Sequence, residues 1–222
     1  MINNKTPKQK IFFIGFNKTG TTSYHHAFKN IRRSTHDPHW TKKTFFHNKI
    51  QFYHYFNQFD VYTDGEMCNF QRLDQEFKNS LFILNTRSLY DWIYSRIKHI
   101  YKFGDMKKSN GNMANEWHKY IDKTEVIKLW IVRRNQYYQQ IFSYFKNKTN
   151  LLIIDINSCD KKLQLINFTK IPNIGNIEIK NKRAEEKKIV LSFKQTIINT
   201  FNLLNINPKD YHNTGIIKNL FL

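Results

Sequence analysis

Cysteine is nearly absent from this 222-residue chain. Cys68 and Cys159 are the only two, too few for a disulfide framework or a cysteine-rich zinc site. They suit a reducing compartment. Proline and glycine are scarce too, at 4 and 7 residues, which excludes collagen-like and low-complexity architectures. No window approaches the roughly 20 apolar residues of a membrane-spanning helix. The segment from Met1 to Lys10 is polar and lacks the apolar stretch of roughly 7–15 residues that a secretory signal needs. A soluble, cytoplasmic protein is therefore expected.

Acidic residues are outnumbered, 17 Asp and Glu against 36 Lys and Arg, for a formal net charge of +19. That excess points to an anionic partner: nucleic acid, a polyanionic glycan or a phosphorylated small molecule. The abundance of Lys beside Asn, Ile and Phe also matches what AT-rich coding sequence produces. Lysines cluster at Lys42-Lys43, Lys107-Lys108 and from Lys180 to Lys188, and no single arm carries them. Hydrophobic residues make up 40% and aromatics 16%. This is enough to build a packed core, so a disordered basic tail is excluded.

Lys10 to Phe16 is a short, nearly continuous apolar run, as in a buried strand of a parallel sheet. A turn-rich loop, Asn17 to Ser23, follows it, and a helix is expected over about Thr21 to Asn30. Residues 31–58 show no clear period and read as loop plus a short helix. Further strands are expected at Phe59–Thr63, Leu81–Thr86 and Leu151–Asp155. Helices are expected around Phe70, Leu73 and Phe77, over Asp91–Tyr101, through most of 113–147, near 159–168 and from about 183 to 204. Short apolar strands separated by helices imply one α/β domain over residues 1–222, with a parallel sheet covered on both faces. Such sheets bind ligands at the carboxyl ends of their strands.

The segment Gly15-Phe16-Asn17-Lys18-Thr19-Gly20-Thr21-Thr22-Ser23 stands between strand and helix. Amides of a glycine-containing turn and of a helix N-terminus form an anion cradle, and three hydroxyls converge on it. Gly15 and Gly20 have the spacing of a nucleotide-triphosphate loop, but Thr21 stands where that loop carries lysine. The lysine is instead inside the loop, at Lys18. Asp155 is the one carboxylate after an apolar strand that could serve a metal, and a structural role fits it equally. An anionic donor other than ATP–Mg suits this cradle better.

Phe13 to Ser23 resembles the 5′-phosphosulfate loop of the sulfotransferases that use 3′-phosphoadenosine 5′-phosphosulfate (PAPS). Lys18-Thr19-Gly20-Thr21-Thr22 matches that family's K-[ST]-G-T-[TS] position by position. A second segment is similar to the family's 3′-phosphate motif, in which a strand ends in Arg and a Ser follows about eight residues on. Here Phe82 to Arg87 is followed by Asp91 to Ser95. An arginine at a strand's carboxyl end can fork onto a phosphate. The resemblance implies a three-layer α/β/α, P-loop-like fold around a central parallel sheet. It also implies a PAPS/PAP site formed by Asn17, Lys18, Thr19, Gly20, Thr21, Thr22, Ser23, Arg87 and Ser95, with late basic contacts from Lys182 and Arg183. The R-K-G-x-x-G-x-W segment of the cytosolic small-molecule enzymes is missing. Trp92 reads as core.

Sulfuryl transfer is an in-line displacement like phosphoryl transfer. It needs a cation at the leaving oxygen, a base for the acceptor and no metal. Lys18 is the expected cation. The resemblance puts the base near the end of the second strand, where Asp64 and Glu66 stand; Asp64 is preferred because it comes directly off the strand. His54 and the pair His25/His26 are the alternatives. The aromatic and basic stretch 31–58 is compatible with a hydroxyl acceptor such as a carbohydrate, a phenol or a lipid headgroup, and equally with core packing. Two other readings remain: a non-catalytic polyanion or nucleic-acid binder on a degenerate sulfotransferase scaffold, and an ATP-dependent small-molecule kinase, against which the missing loop lysine argues.

Overall fold

The computed structural model describes residues 9–42, 48–102, 112–178, 188–218 and 220. The chain forms two compact units, one of residues 1–86 with 144–180 and one of 87–143 with 181–222.

The first unit contains a parallel five-stranded sheet. Its strands are β1 (Ile11–Phe13), β2 (Ser34–Thr35), β3 (Val61–Tyr62), β4 (Leu81–Thr86) and β5 (Leu151–Asp155), in the order β2-β3-β1-β4-β5. Register follows from side-chain alternation. Phe12 lies beside Tyr62 and Phe82, while Ile11 lies beside Val61 and Leu81. A slip of one residue would reverse both faces.

The two faces are covered differently. On one, Ile11, Phe13, Val61, Ile83 and Ile154 pack with Tyr24, Ala27 and Phe28 of α1 (Thr21–Phe28) and Leu165 of α7 (Lys161–Thr169). On the other, Phe12 stacks on Tyr62 at 5.1 Å and on Phe82 at 5.4 Å. Trp40, Phe56 of α2 (Lys49–Phe56) and Phe77, at the end of α3 (Phe70–Glu76), close around Phe12. The architecture is the three-layer α/β/α sandwich, and a fully buried phenylalanine at its centre is worth about 1.5–3 kcal/mol of apolar burial. The chain leaves β1 toward β2 and β3 and reaches β4 on the other side. This places a topological switch point at the carboxyl end of β1, where such sheets form ligand crevices.

The second unit is helical. It contains α4 (Leu89–Lys102), α5 (Asn112–Lys119), most of α6 (Lys123–Phe145) and α8 (Lys188–Leu203). Trp92 and Arg96 of α4 interleave with Trp130, Arg134 and Tyr138 of α6. Arg96 lies 4.6 Å from the Trp130 ring centre and Arg134 lies 4.5 Å from that of Tyr138. The i, i+4 spacing on each helix sets this alternation of rings and guanidinium groups. Asn135 takes both backbone groups of Ile217, accepting its amide at 2.7 Å and donating to its carbonyl. Trp92 is fully buried in this core, as its sequence context suggested.

Residues 31–58 form more than a loop with a short helix. They hold β2 and a 3-10 turn at Pro38–Thr41 as well as α2. Among the described residues, no helix is long and apolar enough to cross a membrane.

Candidate active site

The loop after β1 is built by hydrogen bonds from the neighbouring strand. The Gly15 amide donates to Asn85 Oδ1 at 3.0 Å, and Asn85 Nδ2 donates to the Thr19 hydroxyl at 2.6 Å. The Thr19 hydroxyl in turn donates to the Phe16 carbonyl. Thr19 and Asn85 are both buried, so these bonds satisfy groups that water cannot reach. Lys18 and Gly20 take left-handed backbone, with φ of 66° and 93°. Such conformations persist where the surroundings over-determine them. At Gly20 a side chain would meet a second obstacle, because a Cβ would lie 2.5 Å from Ile156 Cδ1.

Gly20 is also the N-cap of α1, so the cap has no side chain to satisfy the first helical amides. No acidic residue stands in the first turn. The amides of Thr21, Thr22 and Ser23, the positive end of the helix dipole and the neighbouring Lys18 all favour an anion here.

Three groups frame this loop from β2 and β3. Glu66 Oε2 accepts the Asn17 amide at 3.3 Å, which makes it a ligand of the loop backbone. Asp64 has φ of 67° and follows β3 directly. The Gly65 amide ties that corner to the Phe13 carbonyl at 3.1 Å. There a Cβ would lie 2.3 Å from the Phe13 carbonyl oxygen, so only glycine allows the close approach. His36, just beyond β2, spans the gap between loop and sheet. Its Nε2 is 3.1 Å from the Thr22 hydroxyl and its Nδ1 is 3.0 Å from the Thr63 hydroxyl. Burial lowers the His36 pKa, the Lys18 and His26 charges lower it further, and Asp37 partly opposes them.

The other histidines divide clearly. His25 Nδ1 is 3.0 Å from Ser34 Oγ, and its ring stacks on His36. Burial first, then His36, His26 and Lys29, push its pKa down to about 4. His26 lies edge-on to His25 at 5.5 Å. His54 is exposed on the last turn of α2, which leads into the amino end of β3, opposite the loop. Asp155 accepts the Asn157 amide at 2.8 Å in a local turn, which accounts for it structurally.

Arg87 and Ser95 belong to the second unit. Arg87 is the residue after Thr86, the last of β4, and Ser95 lies on α4; both are half-buried. Ser88 caps α4, its hydroxyl accepting the Asp91 amide at 3.2 Å. Lys182 and Arg183 lie outside the described residues. Within the first unit, then, the structure brings together Asn17 to Ser23 with Glu66, and adds two residues that the sequence did not single out, His36 and Asn85. Asn85 carried one signal: it is a polar residue inside an otherwise apolar strand, which requires partners.

A glycine-capped helix start, with a lysine inside the preceding loop, stands at the carboxyl end of the central parallel strand of a three-layer α/β/α fold. A family model described as a sulfotransferase domain matches residues 10–155, from the start of β1 to the end of β5. The match covers more than half of the chain, and the chain belongs to this sulfotransferase family. No curated protein matches it significantly.

Proposed function

We propose that this chain is a PAPS-dependent sulfotransferase acting on a hydroxyl or amine acceptor. The observation that carries the reading is the loop from Asn17 to Ser23. Lys18 to Thr22 match the family's K-[ST]-G-T-[TS] motif position by position, and the left-handed Lys18 and glycine-capped helix start support the reading. The cradle suits a phosphosulfate chemically. It offers backbone amides and hydroxyls for the 5′-phosphate and one cation for the bridging oxygen. Bound there, PAPS would supply the sulfuryl group and the leaving phosphate.

In this reading the first-turn amides with Thr21 and Thr22 hold the 5′-phosphate. Lys18 neutralises charge growing on the leaving oxygen, the kind of preorganised contact that dominates such catalysis. Asp64 takes the acceptor's proton. Its place directly off the carboxyl end of β3, beside Gly65, supports that role, with Glu66 as the alternative. The resemblance to the family assigns the 3′-phosphate to Arg87 and Ser95, with Lys182 and Arg183 as late basic contacts. A carbohydrate hydroxyl suits the strongly basic chain, since many glycan acceptors are anionic.

Thermal unfolding with adenosine 3′,5′-bisphosphate (PAP), compared with ATP plus Mg²⁺ at two salt concentrations, tests this. Ligand at about 100 times Kd should add roughly 2.7 kcal/mol, a rise of several degrees. A rise with the bisphosphate alone supports the donor site and justifies screening hydroxyl acceptors for sulfate transfer. Equal rises with any polyanion, lost in salt, would favour a polyanion binder instead.

A further inference from the structure

The hydroxyl network around His36 has a direction. The Thr63 hydroxyl is 3.0 Å from the Thr35 carbonyl, which can only accept. Thr63 therefore spends its one proton there. It must then receive the Nδ1 proton of His36, which leaves Nε2 bare to accept from the Thr22 hydroxyl. The opposite tautomer would forfeit either the Thr63–Thr35 bond or the His36–Thr63 bond, in a place where Thr63 is fully buried. One tautomer makes all three bonds, and in it the Thr22 hydroxyl gives its one proton to His36 and has none to offer an anion.

Adding a proton to His36 reverses that last bond. With both ring nitrogens donating, Nε2–H gives to Thr22 Oγ1, and the Thr22 hydroxyl is free to turn its own proton outward. A phosphate oxygen accepts hydrogen bonds and repels lone pairs, so only the second arrangement makes Thr22 a ligand for it.

We propose that His36 is a proton-operated positioning residue for the phosphate loop: neutral, it takes the Thr22 hydroxyl proton, and protonated, it releases that hydroxyl to bind a phosphate group. The inference rests on the donor reading above. Among the described residues, the charged and titratable groups facing His36 include Lys18 from the loop, His25 and His26 from α1, and Asp37 beside it. Lys18 and His26 disfavour the extra proton in the resting protein. A dianionic phosphate beside Lys18 offsets that charge, so anion binding and proton uptake by His36 favour each other, as linkage requires. Between the resting and the bound pKa, the coupled part of the affinity strengthens about tenfold for each pH unit lowered.

The test follows the His36 ring resonance by NMR through a pH titration of the full chain, with and without saturating PAP. His36→Asn assigns the signal. Bound PAP should raise the His36 pKa by about one unit or more, a tenfold or greater coupling. In Thr22→Val, which keeps the shape and loses the hydroxyl, the rise should fall below half of that, and Thr22→Ser should restore it. A rise in Thr22→Val of half the wild-type value or more would mean simple charge attraction and overturn the switch. Bisphosphate binding with an unmoved His36 pKa would also overturn it, leaving the donor reading intact. No binding at any pH would remove the donor reading and the switch with it.

Discussion

The side chain of Asn85 ties two points of the loop after β1, accepting the Gly15 amide at 3.0 Å and donating to the Thr19 hydroxyl at 2.6 Å. Asn85→Ala leaves the Gly15 amide without its acceptor in a dry site. Such a loss costs about 1–3 kcal/mol, so the urea midpoint should drop accordingly. PAP affinity should fall further than stability does, because the loop loses its shape before the sheet loses its packing. Chemical denaturation and calorimetric titration of the same variant separate the two effects.

Lys18 is half-exposed and stands in a loop rather than in the core. Lys18→Ala should leave thermal unfolding close to wild type, because alanine keeps the Cβ that Lys18 already carries at its left-handed φ of 66°. Sulfate transfer should fall by about two to three orders of magnitude, the usual loss when one charge-stabilising group is removed from a transition state. Lys18→Arg should not restore it, since a planar guanidinium does not replace a compact ammonium inside a tight loop. Wild-type transfer rates in Lys18→Ala would remove Lys18 from the mechanism.

Much of the scaffold was legible because its signals are local. Leu81–Thr86 and Leu151–Asp155 are apolar runs closed by turn residues, and both strands fall where the runs do. The loop was legible for the same reason, since its glycine, lysine and hydroxyls are contiguous. Ser34–Thr35 was not, because two polar residues become a strand only by pairing with Val61 and Tyr62. His36 lies 14 residues from Thr22 and Asn85 lies 66 from Thr19. Their partners are set by strand order, which periodicity does not encode. Asp155, for which a structural role and a metal role fit the sequence equally, accepts the Asn157 amide in a local turn.

Gly20 combines two constraints that substitution tests separately. Gly20→Ala meets the left-handed φ of 93° and the Ile156 side chain at once. A misfit of this kind costs about 1–3 kcal/mol. It should also displace the first amides of α1 and sharply weaken PAP binding. Ile156→Ala clears both obstructing atoms, Cδ1 at 2.5 Å and Cγ1 at 2.6 Å from the added Cβ, while the backbone strain stays, so Gly20→Ala should cost nearly as much in the Ile156→Ala background as in wild type. A cost that vanishes in that background would show that the strain is negligible and that crowding alone requires glycine.

Acid should loosen the first unit through its histidines. The His25 pKa lies near 4 in the folded chain, against an ordinary 6.5, and that of His36 is also lowered. Both are therefore neutral when folded at neutral pH. Between pH 6.5 and about 4 the unfolded chain binds a proton at position 25 that the folded chain refuses. Stability then falls as pH falls through that window and gains nothing from this group above it. Urea unfolding at about pH 7 and about pH 5 should show a lower midpoint in acid for wild type, and a smaller difference for His25→Asn. An equal difference in the variant would mean that His25 is charged or freely solvated when folded, and that its bond to Ser34 does not hold the ring neutral against β2.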